Sequence, residues 1–161
     1  MQTYELTQKI LAIGPTYEVR PAAAPEGDPL LTIRGKLFSA TPSLSIANGQ
    51  DGPSVGMMKG NFTRTKFECV GDDDRLIGSL QFPMIAIRKS FTLRAGDKEY
   101  QADGGIFAGE FVCKDAAGAV VMKISKQASL RDKFRIEADE SIPQPLALLA
   151  AVAIDQRFFQ E

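Results

Sequence analysis

The C-terminal stretch of the chain is apolar on every face that a helix could present. Residues 146–154 carry no polar side chain, and Asp155, Gln156 and Arg157 then precede two phenylalanines. A surface helix would show a polar stripe, and a helix that spans a bilayer needs about 20 apolar residues. The pattern predicts a helix over about 143–158 that the protein itself encloses. Its predicted core residues are Leu146, Leu148, Leu149, Val152 and Ile154.

The rest of the chain alternates between apolar and polar residues over short segments, as half-buried β-strands do. Turn-forming Gly, Asn and Asp residues separate these segments at intervals typical of β-sandwiches and barrels. The clearest candidate strands are 31–37, 61–70, 76–82, 90–94, 106–113, 119–125 and 133–138, and weaker ones lie near Tyr4, Tyr17 and Leu44. Together with the enclosed helix, the pattern predicts a mainly β fold, an antiparallel barrel of about twelve strands around its own C-terminal helix.

Three further local patterns bear on this fold. Ser141 is placed to cap the helix N-terminus, and the polar residues from Asp155 onward predict that the helix emerges from the barrel there. The proline-rich segment 21–29 is incompatible with a central strand. It is either a plain surface connector or an interaction loop.

Length and charge indicate one soluble globular domain spanning 1–161. The 161 residues include 19 basic and 20 acidic side chains, a balance that argues against broad nucleic-acid binding. The N-terminus shows no signal peptide, and no lipidation motif is evident. We therefore expect a cytoplasmic protein, a monomer by default, without a transmembrane span.

Chemistry is sparse in this sequence. It contains no histidine and only two cysteines, which removes the commonest general base and the usual zinc sites. Cys69 and Cys113 each follow a phenylalanine by two residues, so strand periodicity places each pair on one face and predicts buried, reduced thiols. We expect no metal site, no cofactor and no enzymatic activity.

The basic residues give the one suggestive pattern. If Leu31, Ile33 and Leu37 face the barrel interior, Arg34 and Lys36 project together from the exterior. The same parity pairs Arg64 with Lys66 on another candidate strand. Two cations on one strand face lie about 7 Å apart, which suits a phosphorylated headgroup. The alternative is that they are ordinary charged exterior residues that keep a barrel soluble.

Four segments also resemble a known family in their order and spacing. The family is the tubby C-terminal-like superfamily. Its opening strand resembles residues 4–9, and its Gly-Lys-x-x-Ser strand end resembles residues 34–39. Its penultimate hairpin resembles residues 111–126, and its last strand with the central helix resembles residues 131–155. The likeness is strongest to its LURP-one-related and phospholipid-scramblase-like branch, although the proline-rich segment 21–29 departs from it. The resemblance implies a twelve-stranded barrel threaded by a hydrophobic helix. It also implies binding of phosphoinositide headgroups through paired exterior cations, for which Arg34 and Lys36 are the nearest candidates.

The sequence leaves the function open between three alternatives. The first is a non-enzymatic binding or scaffold module that reads anionic phospholipid headgroups at a membrane surface. The second is a protein-interaction module with no lipid role. The third is a carrier of a small apolar ligand, which the predicted helix disfavours because it would fill the barrel.

Overall fold

A computed structural model of the chain describes residues 1–11, 14–36, 40–84, 89–104, 109–127 and 133–159, leaving out the side chains of Ile10 and Leu11. Twelve strands and one helix lie within these ranges. The strands are β1 Gln2–Leu11, β2 Gly14–Pro21, β3 Leu31–Gly35, β4 Ser43–Asn48, β5 Ser54–Gly60, β6 Lys66–Gly71, β7 Leu76–Gln81, β8 Ser90–Ala95, β9 Lys98–Asp103, β10 Glu110–Lys114, β11 Val120–Lys126 and β12 Lys133–Ala138. The helix α1 spans Gln144–Ile154 and continues as a π-helical turn over Asp155–Phe159.

The sheet closes on itself. Each strand pairs antiparallel with its neighbours in sequence, and β1 pairs with β12, with Tyr4 opposite Ile136 and Leu6 opposite Phe134. Closure leaves no free sheet edge. The predicted antiparallel barrel of about twelve strands around a C-terminal helix is therefore confirmed.

This topology sorts the connections between the two ends of the barrel. In an up-and-down sheet, successive connections alternate between ends. We call one end of the barrel the upper end. It carries residue 1, the β12–α1 connection, and the β2–β3, β4–β5, β6–β7, β8–β9 and β10–β11 turns. The helix enters there, and its π-helical turn lies at the opposite, lower end, where Arg157 contacts the β5–β6 turn.

The core lies between the inner face of the barrel and the helix. Alternate strand residues face inward, such as Phe67 and Cys69 in β6 and Phe111 and Cys113 in β10, and all four are buried. Every residue from 146 to 154 is fully buried, so the predicted helix core is confirmed. Both cysteines are free thiols within this core.

Two expectations about the helix ends are wrong. The N-cap residue is Pro143, which makes no side-chain cap hydrogen bond, while Ser141 Oγ donates to Asp139 Oδ2 at 2.6 Å. Asp155 and Gln156 are buried rather than emerging. Inside the barrel, the Tyr17 hydroxyl donates a hydrogen bond to Asp155 and accepts one from Gln156. The first partly exposed residue is therefore Arg157.

Several strand boundaries also differ from the sequence patterns. Residues 61–65 form a turn, and the strand begins at Lys66. The alternation of apolar and polar residues did not predict strands β5 and β9. The predicted inward position of Leu37, and the predicted strand over residues 106–108, lie outside the described residues.

Candidate functional site at the lower end of the barrel

The structure separates the first predicted basic pair. Arg34 lies on the exterior of β3, but its Nη2 donates to the carbonyl oxygen of Gln50 at 2.8 Å and lies 3.1 Å from Asp51 Oδ1. Both partners belong to the β4–β5 turn at the upper end. Lys36 directly follows β3 at the lower end and is exposed. Arg34 is therefore already neutralised, and the two cations face different environments.

The second predicted pair does not share a strand face. Arg64 lies in the β5–β6 turn with φ of 55°, a left-handed conformation that non-glycine residues rarely adopt. The Asn61 side chain holds this turn, because its Oδ1 accepts hydrogen bonds from the backbone N–H groups of Thr65 and Lys66 at 2.8 and 3.0 Å. Arg64 Nε is buried without a hydrogen-bond partner among the described residues. Strained backbone and an unsatisfied buried donor are features that concentrate at functional sites.

Lys66 differs from Arg64 in having a counter-ion. Its Nζ lies 3.6 Å from Glu68 Oε1, and both side chains are about half exposed. Exposed pairs of this kind contribute little to stability. Together with Glu68, Lys66 therefore adds little net charge to the lower end.

Two lysines that the sequence patterns did not single out surround the end of the chain. Lys89 Nζ lies 4.9 Å from the centre of the Phe158 ring and 5.4 Å from that of Phe159. Lys126 Nζ lies 3.7 Å from the centre of the Phe159 ring. The ring faces attract both ammonium groups, and in the described part of the chain neither lysine has a carboxylate within ion-pair distance.

Arg157 joins this group through the β5–β6 turn. Its Nη1 donates to the carbonyl oxygen of Thr63 at 3.1 Å, next to Arg64. The contact ties the π-helical turn to the strained turn, and the other guanidinium donors have no hydrogen-bond partner among the residues that the structure describes. We call Lys36, Arg64, Lys89, Lys126 and Arg157 the basic cluster.

Charge is segregated between the two ends of the barrel. The upper-end connections carry ten acidic residues and one basic residue, Arg75. The acidic residues are Glu26, Asp28, Asp51, Asp72, Asp73, Asp74, Asp97, Asp115, Asp139 and Glu140. The described residues of the lower-end connections carry Lys36, Arg64 and Lys89 and no acidic residue, although Asp103 and Glu110 lie at adjoining strand ends. A net charge near zero thus conceals an acidic upper end and, among its described residues, a basic lower end.

Exposed apolar side chains accompany the basic cluster. Among the described large hydrophobic residues, Met84 and Phe62 have the highest exposures, 74% and 72%. Both lie in lower-end connections, in the β7–β8 and β5–β6 segments respectively. The turn at residues 61–65 places the Phe62 side chain outside the barrel. Cations beside exposed apolar side chains are typical of surfaces that bind membrane interfaces.

The remaining chemistry is inert. Burial raises the pKa of the Cys69 thiol to about 11 and that of Cys113 to about 12, so both are protonated and unreactive at neutral pH. Within the described ranges, no group of three or more His, Cys, Asp or Glu side chains could hold a metal ion. None of the described helical segments has the length and apolar character needed to cross a membrane.

Comparison with known proteins adds no assignment. A scan against protein-family models finds no family that matches the chain, and a search of curated proteins finds no match. The geometry of the lower end is therefore the basis for a functional interpretation.

Proposed function

We propose that this protein is a cytoplasmic binding module that docks reversibly on anionic phospholipid surfaces through the lower end of its barrel. The observation that carries the proposal is the charge segregation between the two ends. It orients the molecule in the field of an anionic membrane, because the acidic upper end is repelled while the basic cluster is attracted.

The strength of such binding follows from the number of cations. Each Lys or Arg near an anionic surface contributes about 1 kcal/mol, so the five members of the basic cluster contribute roughly 5 kcal/mol. Burial of an apolar side chain such as Phe62 or Met84 adds about 1.5–3 kcal/mol when complete. Binding should be weak, reversible and sensitive to salt, because screening at physiological ionic strength acts over about 8 Å.

The barrel itself supports a module that binds at its surface. The helix occupies the interior with every residue from 146 to 154 buried, which is where a carrier would hold an apolar ligand. The resemblance to tubby-like proteins remains a prediction. It agrees with lipid binding, but it implies paired cations on the wall of the barrel and not at the barrel end.

Vesicle flotation tests the proposal. Wild-type protein should float with phosphatidylcholine vesicles that contain phosphatidylserine, should not float with phosphatidylcholine alone, and should be released at high salt. The variant K36E/K89E should lose most of this binding, since it reverses two charges of the basic cluster that form no ion pair with any described residue.

The matched control is R75E/K114E. It changes the net charge by the same amount, at the upper-end β6–β7 turn and at the end of β10, where both residues are exposed. Retained binding by this variant, with equal unfolding midpoints for all three proteins, supports docking through the lower end. Equal loss in both variants would show non-specific attraction, and failure of the wild type to float would overturn the proposal in favour of a protein partner.

A further inference from the structure

A cleft of about 560 Å³ opens at the upper end of the barrel, away from the basic cluster. It lies between the β8–β9 turn, the β10–β11 turn and the connection to α1, whose Ser141 forms part of the wall. Its volume falls within the range of about 300–1,000 Å³ that small-molecule sites occupy. Nothing in the docking proposal makes use of it.

Tyr100 of β9 supplies an unpaired polar group to this cleft. The residue is only 4% exposed, and since it lines the cleft, its remaining exposed surface faces that space. Its hydroxyl makes no hydrogen bond with any described residue. The hydroxyl is therefore available to a ligand in the cleft that Tyr100 lines.

The charged groups around Tyr100 are predominantly negative. Asp97 and Asp115 line the cleft from its two turns, opposed by the single lining cation Lys98. Glu99 also lines the cleft, but it is paired with Arg94, whose Nε lies 3.0 Å from Glu99 Oε2.

The two unpaired carboxylates have oxygens left for a ligand. Asp115 Oδ1 accepts hydrogen bonds from the backbone N–H groups of Ala117 and Ala119 at 3.0 and 2.9 Å, which fixes the carboxylate and leaves its second oxygen unused. Asp97, in an exposed turn, makes no ion pair among the described residues.

The pKa values of neighbouring groups agree with a negative field. The pKa of Asp139 is lowered, chiefly by the hydrogen bond from the Ser141 side chain, so Asp139 is ionised at neutral pH. The pKa of Tyr100 is raised, first by burial and then by neighbouring groups that include Asp115 and Asp139. Because Asp97 and Asp115 line the cleft, a cation entering it would be stabilised and an anion would be repelled.

The walls define the ligand further. Val121, Ala116 and Ala117 give the cleft an apolar side next to its carboxylates. An ammonium group has three donors and no acceptor, which matches Asp97, Asp115 and the Tyr100 oxygen, and a methylene stem matches the apolar wall. We propose that this cleft binds the alkylammonium end of an amine, either a free diamine or a lysine side chain.

Isothermal titration calorimetry with pentylamine tests the proposal, with pentanol as the uncharged probe of the same stem. Pentylamine should bind saturably and pentanol should not. Y100F removes only the hydroxyl and D97N only the charge, and each should weaken pentylamine binding about tenfold, the effect expected for losing one bond to a charged group. The control D72N, in another acidic turn of the same end, should bind as the wild type does.

Two further ligands separate the sources of the amine. Cadaverine represents a free diamine, and Nα-acetyl-lysine methylamide represents a lysine within a peptide. Stronger binding of one over the other identifies the source. Absence of saturable binding by all three amines, or unchanged affinity in both Y100F and D97N, would overturn the proposal without bearing on the lower end.

Discussion

The hydroxyl of Tyr17 donates a 2.6 Å hydrogen bond to Oδ2 of Asp155, joining the second strand to the end of the central helix. Gln156 Nε2 in turn donates to the Tyr17 oxygen at 3.0 Å. All three side chains are buried. An apolar helix inside an apolar lumen could slide along the barrel axis, and this directional contact fixes its position.

The variant Y17F should therefore lower the free energy of unfolding by about 1–3 kcal/mol, the cost of weakening a buried, charge-assisted hydrogen bond. Urea unfolding followed by circular dichroism measures the change. Y4F is the control. Among the described residues the Tyr4 hydroxyl bonds only to the nearby Gln2 side chain at the upper end, and its loss should cost less than about 1 kcal/mol. Equal effects of the two variants would contradict an anchoring role for Tyr17.

The helix should contribute to stability as a core element. L148A removes a fully buried side chain and should cost about 2–5 kcal/mol of unfolding free energy through lost burial and the cavity left behind. L76A, at an exposed position of β7, should change it by less than about 0.5 kcal/mol. A variant L148A as stable as the wild type would mean that the helix does not pack in the lumen in solution.

Gly78 of β7 gives the helix room against the barrel wall. A Cβ atom at this position would meet the Leu146 side chain and lie 2.7 Å from the backbone oxygen of Arg94. G78A should therefore destabilise the protein by about 1–3 kcal/mol through overpacking. G109A is the matched control, since its added Cβ would meet only the Lys126 oxygen at 3.8 Å. The losses of G78A and L146A should add up to more than the loss in the double variant, because L146A removes the side chain that the new Cβ atom would meet.

The buried thiols give the protein a pH-dependent stability. Unfolded cysteines titrate near about 8.5, whereas the folded pKa values are about 11 for Cys69 and about 12 for Cys113. At pH values above the unfolded pKa, the unfolded state binds fewer protons than the folded state. The stability that the buried thiols contribute should therefore be complete below the unfolded pKa and decrease as pH rises through the folded pKa values. The urea midpoint should drop between about pH 8 and pH 10, and the drop should be smaller in C69A/C113A.

Much of the fold could be predicted because it depends on local patterns. Residues 146–154 carry no polar side chain, and this feature alone was enough to predict that the protein encloses the helix. Strand β9 was missed because Lys98–Asp103 has only Tyr100 and Ala102 as apolar positions, and β5 because glycines interrupt its pattern. The strand predicted through Arg64 failed because the Asn61 side chain stabilises a turn there, which outweighed the alternation of residues 61–66.

The site was harder to predict, because its members come from separate connections of the barrel. Lys89, Lys126 and Arg157 share no motif, and only the fold places them beside Phe158 and Phe159. One sequence signal was nevertheless present. In an up-and-down barrel every second connection lies at the same end, so the acidic turns at 26–28, 51, 72–74, 97 and 115 already implied an acidic end. The ion pair between Arg34 and Asp51 could not be predicted, because the two residues are distant in sequence.

The orientation of the protein on a vesicle tests the central claim most directly. A polarity-sensitive fluorophore can be attached at F62C in the lower-end β5–β6 turn or at D73C in the upper-end β6–β7 turn, because the native thiols are buried and unreactive at neutral pH. With phosphatidylserine-containing vesicles, the label at 62 should shift to the blue and the label at 73 should not. A blue shift at 73 with none at 62 would contradict docking through the lower end.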